Sequence, residues 1–194
     1  RPDSETLVEL LLDHIPDPGA ALRLVDFGTG SGCLLLALLN ELPQARGLGV
    51  DRSVAALECA AGNARALGLA DRADFLLSDW AAAVSGPVDI ILSNPPYIPS
   101  ADIDTLAPEV HRHEPLQALD GGADGLDPYR ILLPQSYDLL QNQGLVAVEY
   151  GISQAASVSD MLRESGFELV ETRRDLGRIE RCTLARKSPV GKKS

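Results

Sequence analysis

The chain has 194 residues, 45% apolar and 23% charged, with 17 Gly and 13 Pro; the length suits one domain, and the composition excludes disordered, collagenous and coiled-coil classes. Seventeen Lys plus Arg against 28 Asp plus Glu leave a net charge of −11, which repels a phosphate backbone and argues against direct nucleic-acid binding. Cys33, Cys59 and Cys182 lack C-x-x-C spacing, and the longest apolar run, Cys33 to Leu39, falls far short of the roughly 18 residues of a membrane span, so neither a disulfide framework, a zinc site nor a membrane partner is expected.

The first residues carry no apolar signal region and no initiating Met, which reads as a fragment of something longer; the cysteine usage fits a reducing compartment, and a cytoplasmic monomer is expected. Ser4 is expected to cap a first helix with Leu7, Leu10 and Leu11 on one face, ended by Pro16-Asp17-Pro18-Gly19. A strand follows over Leu22 to Phe27, then a glycine-rich turn into an apolar helix from Cys33 to Leu42. Next come a strand at Arg46 to Val50, a helix at Ser53 to Leu67, and strands at Asp74 to Leu77 and Val88 to Ser93. A Pro-, Gly- and Asp-rich stretch then runs to about Asp127, long enough to be functional. Order resumes with a helix at Pro128 to Leu140, a strand at Leu145 to Glu149, a helix at Ile152 to Glu164, and strands at Phe167 to Thr172 and Ile179 to Ala185. The alternation predicts an α/β, Rossmann-like fold. Its seven-stranded, mostly parallel sheet ends in an antiparallel C-terminal hairpin. Residues 1–186 form the domain, and 187–194, with Lys192 and Lys193, a flexible tail.

Four strand tips carry polar motifs. Asp26-Phe27-Gly28-Thr29-Gly30-Ser31-Gly32 closes the first strand and opens a helix, a place where glycines admit close approach and free N–H groups favour a polar ligand. Its G-x-G-x-G spacing is neither the dinucleotide nor the phosphate-loop pattern. Asp51, about 20 residues on, suits a ribose diol, or simply the start of a helix. Ser78-Asp79-Trp80 ends the third strand; the single Trp either stacks on a flat base or packs in the core. Ser93-Asn94-Pro95-Pro96-Tyr97 ends the fourth. Two prolines fix φ and remove donors, leaving carbonyls pointing outward as acceptors beside the Asn94 side chain, which suits a planar NH₂ group lying against Tyr97.

These four motifs together resemble the class I S-adenosylmethionine-dependent methyltransferases, and N-P-P-Y resembles those that methylate a nitrogen conjugated to a π system. The closer resemblance is to the HemK/PrmC family of protein-glutamine N5-methyltransferases, which act on the Gly-Gly-Gln glutamine of peptide chain release factors. It rests on Arg1-Pro2-Asp3-Ser4-Glu5-Thr6, Pro108-Glu109-Val110, His113-Glu114-Pro115, Ala118 to Leu126, Tyr129-Arg130 and Asp175-Leu176-Gly177-Arg178. On this resemblance the family's helical N-terminal domain is expected to be missing from this chain, and Glu149-Tyr150-Gly151 stands where the family often has Glu-Ile-Gly. The resemblance implies release factors as the protein partner and S-adenosylmethionine as cofactor, with S-adenosylhomocysteine as product. It implies cofactor contacts from Asp26, Gly28, Thr29, Gly30, Ser31, Gly32, Asp51, Asp79, Trp80 and Asn94. Substrate contacts fall on Asn94, Pro95, Pro96 and Tyr97, with Asn94, Pro95 and Tyr97 the catalytic set.

Alternatives are a methyltransferase of adenine N6 or guanine N2, which the charge opposes, and a scaffold that holds cofactor or partner without catalysis. A nicotinamide oxidoreductase is opposed by the glycine spacing. His111 and His113 form an H-x-H pair without a third ligand at convincing spacing, so no metal is expected. Glu109, Glu114 and Asp120 either shape a substrate channel or solvate a loop.

Overall fold

Short runs of aliphatic residues form strands because helices cover both faces of a parallel sheet, so such strands need no polar side. The clearest is β1 (Arg23–Phe27), buried from Leu24 onward. The computed structural model describes residues 2–105 and 116–188. The remaining strands are β2 (Arg46–Asp51), β3 (Ala73–Leu77), β4 (Val88–Ser93), β5 (Leu140–Glu149), β6 (Phe167–Arg174) and β7 (Glu180–Lys187). They form one sheet in the order β3-β2-β1-β4-β5-β7-β6. Every pairing from β3 through β5 is parallel. β7 runs antiparallel between β5 and β6, so the C-terminal hairpin stands at the edge as expected. The order reverses between β1 and β4, the crevice where doubly wound sheets bind ligands.

Successive strand residues face opposite layers. Leu24, Ile90, Leu92 and Ala147 join Leu7, Leu10, Leu35, Leu38 and Leu39 on one side. Val25, Phe27, Ile91, Val146 and Val148 join Tyr129, Leu132, Val158 and Leu162 on the other. The first layer is roofed by α1 (Pro2–Asp13), α2 (Cys33–Glu41) and α3 (Val54–Ala66), the second by α4 (Asp127–Leu139) and α5 (Ala155–Glu164). α2 lies so close to β2 that a Cβ on Gly47 would sit 2.6 Å from Leu35 Cδ1.

Three element starts differ most from the sequence expectation, the other ends falling within a residue or two. α1 begins at Pro2, so Ser4 lies within it rather than capping it. β5 begins at Leu140, not Leu145. Between the pairs Val88↔Leu140 and Ile90↔Leu145 it bulges, with Gln143 at φ 67°, and the bulge takes polar Gln141 to Gln143 out of the ladder. α5 begins at Ala155, not Ile152, because Ser153 at φ 70° breaks the helical path. Among its described residues, the long connection after β4 holds 3₁₀ turns at Ser100–Thr105 and Leu116–Ala118 and a bridge between Ile98 and Asp120. Its residues 106–115, which include His111, His113, Glu109 and Glu114, lie outside the described residues.

β7 extends through Lys187, whose ammonium donates to the Tyr137 and Leu140 carbonyls at 2.6 and 2.7 Å and lies 4.6 Å from the Tyr137 ring centroid. Strand structure thus reaches one residue into the expected tail; Lys192 and Lys193 are outside the described residues. Among the described residues no helix is long and apolar enough to cross a membrane. Nor does any group of three or more His, Cys, Asp or Glu among them form a potential metal site. The three cysteines are free thiols, only Cys182 being buried.

Candidate functional site

The turn after β1 is shaped by its glycines. Gly28, Gly30 and Gly32 all take positive φ, 72°, 55° and 79°, conformations that cost an L side chain on the order of 1–2 kcal/mol. Beyond Gly28 and Gly30 a Cβ would meet nothing within 4 Å, whereas at Gly32 it would press on Ala60 and Leu36. The first two glycines therefore face open space and the third lets α2 pack on α3. Gly28 and Thr29 N–H both donate to the Val50 carbonyl, at 2.9 and 3.0 Å, and Asn63 Nδ2 donates to the Ser31 carbonyl at 2.9 Å. Gly32 is the N-cap of α2 and no side chain caps it, which leaves the helix's amino end turned to this loop.

Asp51 at the tip of β2 is half-buried, and its two carboxylate oxygens accept from Gly30 N–H and Ser53 N–H, each at 2.9 Å. Ser53, not Asp51, caps α3, its Oγ accepting from Ala56 N–H. The carboxylate thus joins the glycine loop to the α3 entry and retains lone pairs for hydroxyl donors. Ser78 N–H donates to the Asp51 carbonyl at 3.1 Å, which brings the β3 tip alongside, with Asp79 exposed and Trp80 half-buried. The Trp80 ring meets Phe27 edge-on with centroids 6.4 Å apart, and its backbone φ is 48°. Sequence left a core Trp and a ligand-facing Trp open, and this one is intermediate: one edge packs, and a left-handed backbone on a bulky residue marks a position held by its surroundings.

Ser93 is fully buried and its Oγ donates to the Phe27 carbonyl at 2.7 Å, locking the ends of β4 and β1 together. Asn94 therefore follows directly beside Gly28. Pro95 is buried, while Asn94, Pro96 and Tyr97 are half-buried. The expectation that the loop's carbonyls all point outward needs correction, because the Tyr97 carbonyl accepts from Gln154 Nε2 at 2.9 Å. Ile98 N–H donates to Leu119 and the Ile98 carbonyl accepts from Gly121, which pins the loop against the segment 119–122. A cavity of about 420 Å³ opens beside Tyr97, lined by Pro99, Asp124, Gly151, Gln154 and Arg181 among others, and by none of residues 28–32.

Asp26 is 1% exposed; one carboxyl oxygen accepts from Thr29 Oγ1 at 2.7 Å and the other, Oδ1, has no hydrogen-bond partner. Burial pushes its pKa up to about 7 against the lowering effect of Thr29. Between pH 4 and 7 the unfolded chain's Asp26 ionises while the folded one stays protonated. Folding stability due to this group is thus whole below pH 4 and falls by about 4 kcal/mol as pH rises to 7. Urea unfolding of wild type and Asp26→Asn across that range is expected to show the wild-type decline flattened in the variant; parallel profiles would contradict it.

Several residues that frame the site were quoted in the sequence only for the resemblance, with no site role given to them. A Cβ on Gly121 would lie 2.8 Å from Gly125 Cα and 2.9 Å from Tyr97 Cα, and one on Gly151 would lie 2.9 Å from the Tyr97 ring. Tyr129 is buried and donates its hydroxyl to the Glu149 carbonyl at 2.7 Å. Asp120, left open between channel and solvated loop, accepts from Ser100 Oγ and Gly122 N–H, which hold its carboxyl below the usual range. Asp124 pairs with Arg130, whose guanidinium lowers the carboxyl pKa to about 2. Asp120, Asp124 and the glycines around them thus brace the N-P-P-Y loop; the available signal was the density of turn residues in 120–126.

A release factor glutamine methyltransferase of Rhodospirillum rubrum is 56% identical over 191 residues, covering 98% of this chain and 58% of that protein. A protein of the same description from Bradyrhizobium diazoefficiens is 47% identical over 192 residues, covering 97% and 65%. The chain therefore spans roughly three fifths of the length of these relatives. Among solved structures, a ribosomal protein L11 methylase from Lactobacillus delbrueckii subsp. bulgaricus superposes with a TM-score of 0.69 at 22% identity, covering 94% and 79%, a likeness of fold. The model of the methyltransferase small domain matches residues 3–112. With that match running from α1 through the N-P-P-Y corner and over more than half of its length, the chain belongs to the methyltransferase small domain family.

Proposed function

We propose that the chain carries the catalytic part of an S-adenosylmethionine-dependent enzyme that methylates N5 of the Gly-Gly-Gln glutamine in peptide chain release factors. The observation that carries this reading is the Ser93–Phe27 bond, which sets a diproline acceptor corner directly beside an open glycine loop at the sheet's switch point. The residues fit the cofactor: a buried carboxyl oxygen without a partner on Asp26, open space beyond Gly28 and Gly30, and an uncapped helix end. Gly28 to Gly32 and Asp26 would hold its amino-acid portion, Asp51 the ribose hydroxyls, and Asp79 with Trp80 the base. When bound, S-adenosylmethionine supplies an electrophilic methyl group and departs as the neutral thioether.

The chain's own work is orientation. An amide nitrogen is a weak nucleophile because its lone pair is delocalised into the carbonyl. Asn94 Oδ1 and the Pro95 carbonyl accept the two N–H bonds, which aims the nitrogen and favours the positive charge that develops on it as the new C–N bond forms. Tyr97, its ring against the Gly151 backbone, gives the flat carboxamide a surface. The proton leaves after methyl transfer, when the nitrogen has become acidic, so no base is needed before attack. The relatives' description as release factor glutamine methyltransferases supports the substrate. The net charge of −11 favours a protein substrate over a nucleic-acid amine, and a monomer acting in the cytoplasm completes the reading. Incubating a recombinant release factor with the protein and S-adenosylmethionine, then mapping the product by mass spectrometry, is expected to show one added methyl on the tripeptide glutamine. An unmodified release factor alongside methylated DNA or RNA would reject it.

A further inference from the structure

Three hydrogen bonds converge on one side chain that no sequence motif includes. Gln154, immediately before α5, donates from Nε2 to the Tyr97 carbonyl at 2.9 Å and to the Gly125 carbonyl at 3.3 Å. Its Oε1 accepts from Gly151 N–H at 2.9 Å. The partners settle which end of the amide is which, since two carbonyls need a donor and an N–H needs an acceptor. One half-buried side chain thereby joins the loop after β4, the 120–126 segment and the end of β5.

The surroundings are cut to fit it. A Cβ on Gly125 would lie 2.5 Å from Gln154 Nε2, and one on Gly151 would lie 3.1 Å from Oε1. Ser153 holds a left-handed φ of 70° at the turn that delivers Gln154, a conformation that persists only where neighbouring structure enforces it. Two residues with fixed φ, Pro95 and Pro96, separate Tyr97 from Asn94. A shift of the Tyr97 carbonyl is therefore transmitted to the acceptors rather than absorbed between them.

We infer that Gln154 is a positioning residue for methyl transfer: by gripping the Tyr97 carbonyl it fixes where the Asn94 and Pro95 acceptors stand, without touching substrate itself. This rests on the reading of that corner as a carboxamide clamp. Gln154→Leu keeps the bulk and removes all three bonds; kcat is expected to fall about 10- to 100-fold, with KM and Kd for S-adenosylmethionine nearly unchanged. In Gln154→Glu a carboxylate oxygen faces two carbonyls. Its activity relative to wild type is expected to be low at about pH 8 and to recover towards about pH 6, as protonation restores a donor to Tyr97. Asp102, Asp124 and Arg181 line the same cavity and are common to both variants, so a recovery seen only in Gln154→Glu belongs to residue 154. Wild-type kcat in Gln154→Leu, or one pH profile shared by both variants, would overturn the inference. Should wild type leave the release factor unmethylated, the substrate reading fails, and hydrogen exchange of the Gly151 amide decides the clamp: faster exchange in Gln154→Leu upholds it, unchanged protection overturns it.

Discussion

Asn94→Ala is expected to lower methyl transfer by about 10² to 10³-fold, the loss that follows removal of one preorganised hydrogen-bonding group at a reacting centre. The side chain stands one residue past the Ser93–Phe27 bond, so its backbone is held by the sheet and the truncation leaves the loop in place. Cofactor affinity is expected to fall much less, because the glycine loop and Asp51 lie on β1 and β2 and keep their own hydrogen bonds. Turnover and cofactor titration measured on the same preparation check both halves; undiminished turnover would remove Asn94 from the reaction.

Gly125→Ala is expected to damage the same corner from outside. A Cβ there would lie 2.3 Å from the Tyr97 carbonyl oxygen and 2.5 Å from Gln154 Nε2, at a φ of 75°. Backbone cannot yield as the end of a flexible side chain does, so either Gly125 or the Tyr97 loop must move. The strain costs about 1–3 kcal/mol of stability, and a displacement of about 1 Å at the acceptors is enough for a loss near 10²-fold in kcat. Gly62→Ala is the control: inside α3, its Cβ would meet nothing closer than an Arg65 nitrogen at 3.9 Å. It is expected to keep full turnover and gain about 0.5–1 kcal/mol. Urea unfolding and kcat for both variants test the contrast, and a Gly125→Ala protein with wild-type kcat would contradict it.

The strand tips were legible because their signals are local. Aliphatic runs broken by Gly, Asn and Pro place β1 to β4 within a residue or two, and the four polar motifs fall at the same edge because parallel strands all point one way. The resemblance drawn from segments such as 118–126 is borne out by the relatives that match nearly the whole chain. What sequence could not supply depends on distant partners. The polar run Gln141 to Gly144 reads as a turn, yet pairing with β4 stretches β5 across it and forces a bulge. Gln154 reads as an ordinary residue near a helix start; only the arrival of Tyr97, 57 positions away, makes it a clamp. Gly125 announces a turn but not that the space of its missing side chain is filled by the Tyr97 carbonyl. Trp80 could not be divided between core and ligand because it touches Phe27 with one edge and remains half-buried.

A crystal structure of the protein with S-adenosylhomocysteine tests the central claim most directly. The account predicts the nucleoside between Asp51 and Trp80, the amino-acid end over Gly28 to Gly32, and the sulfur facing Asn94 Oδ1 and the Pro95 carbonyl across a gap that admits a carboxamide. A ligand seated away from residues 94–97, or with its sulfur turned from them, would contradict it.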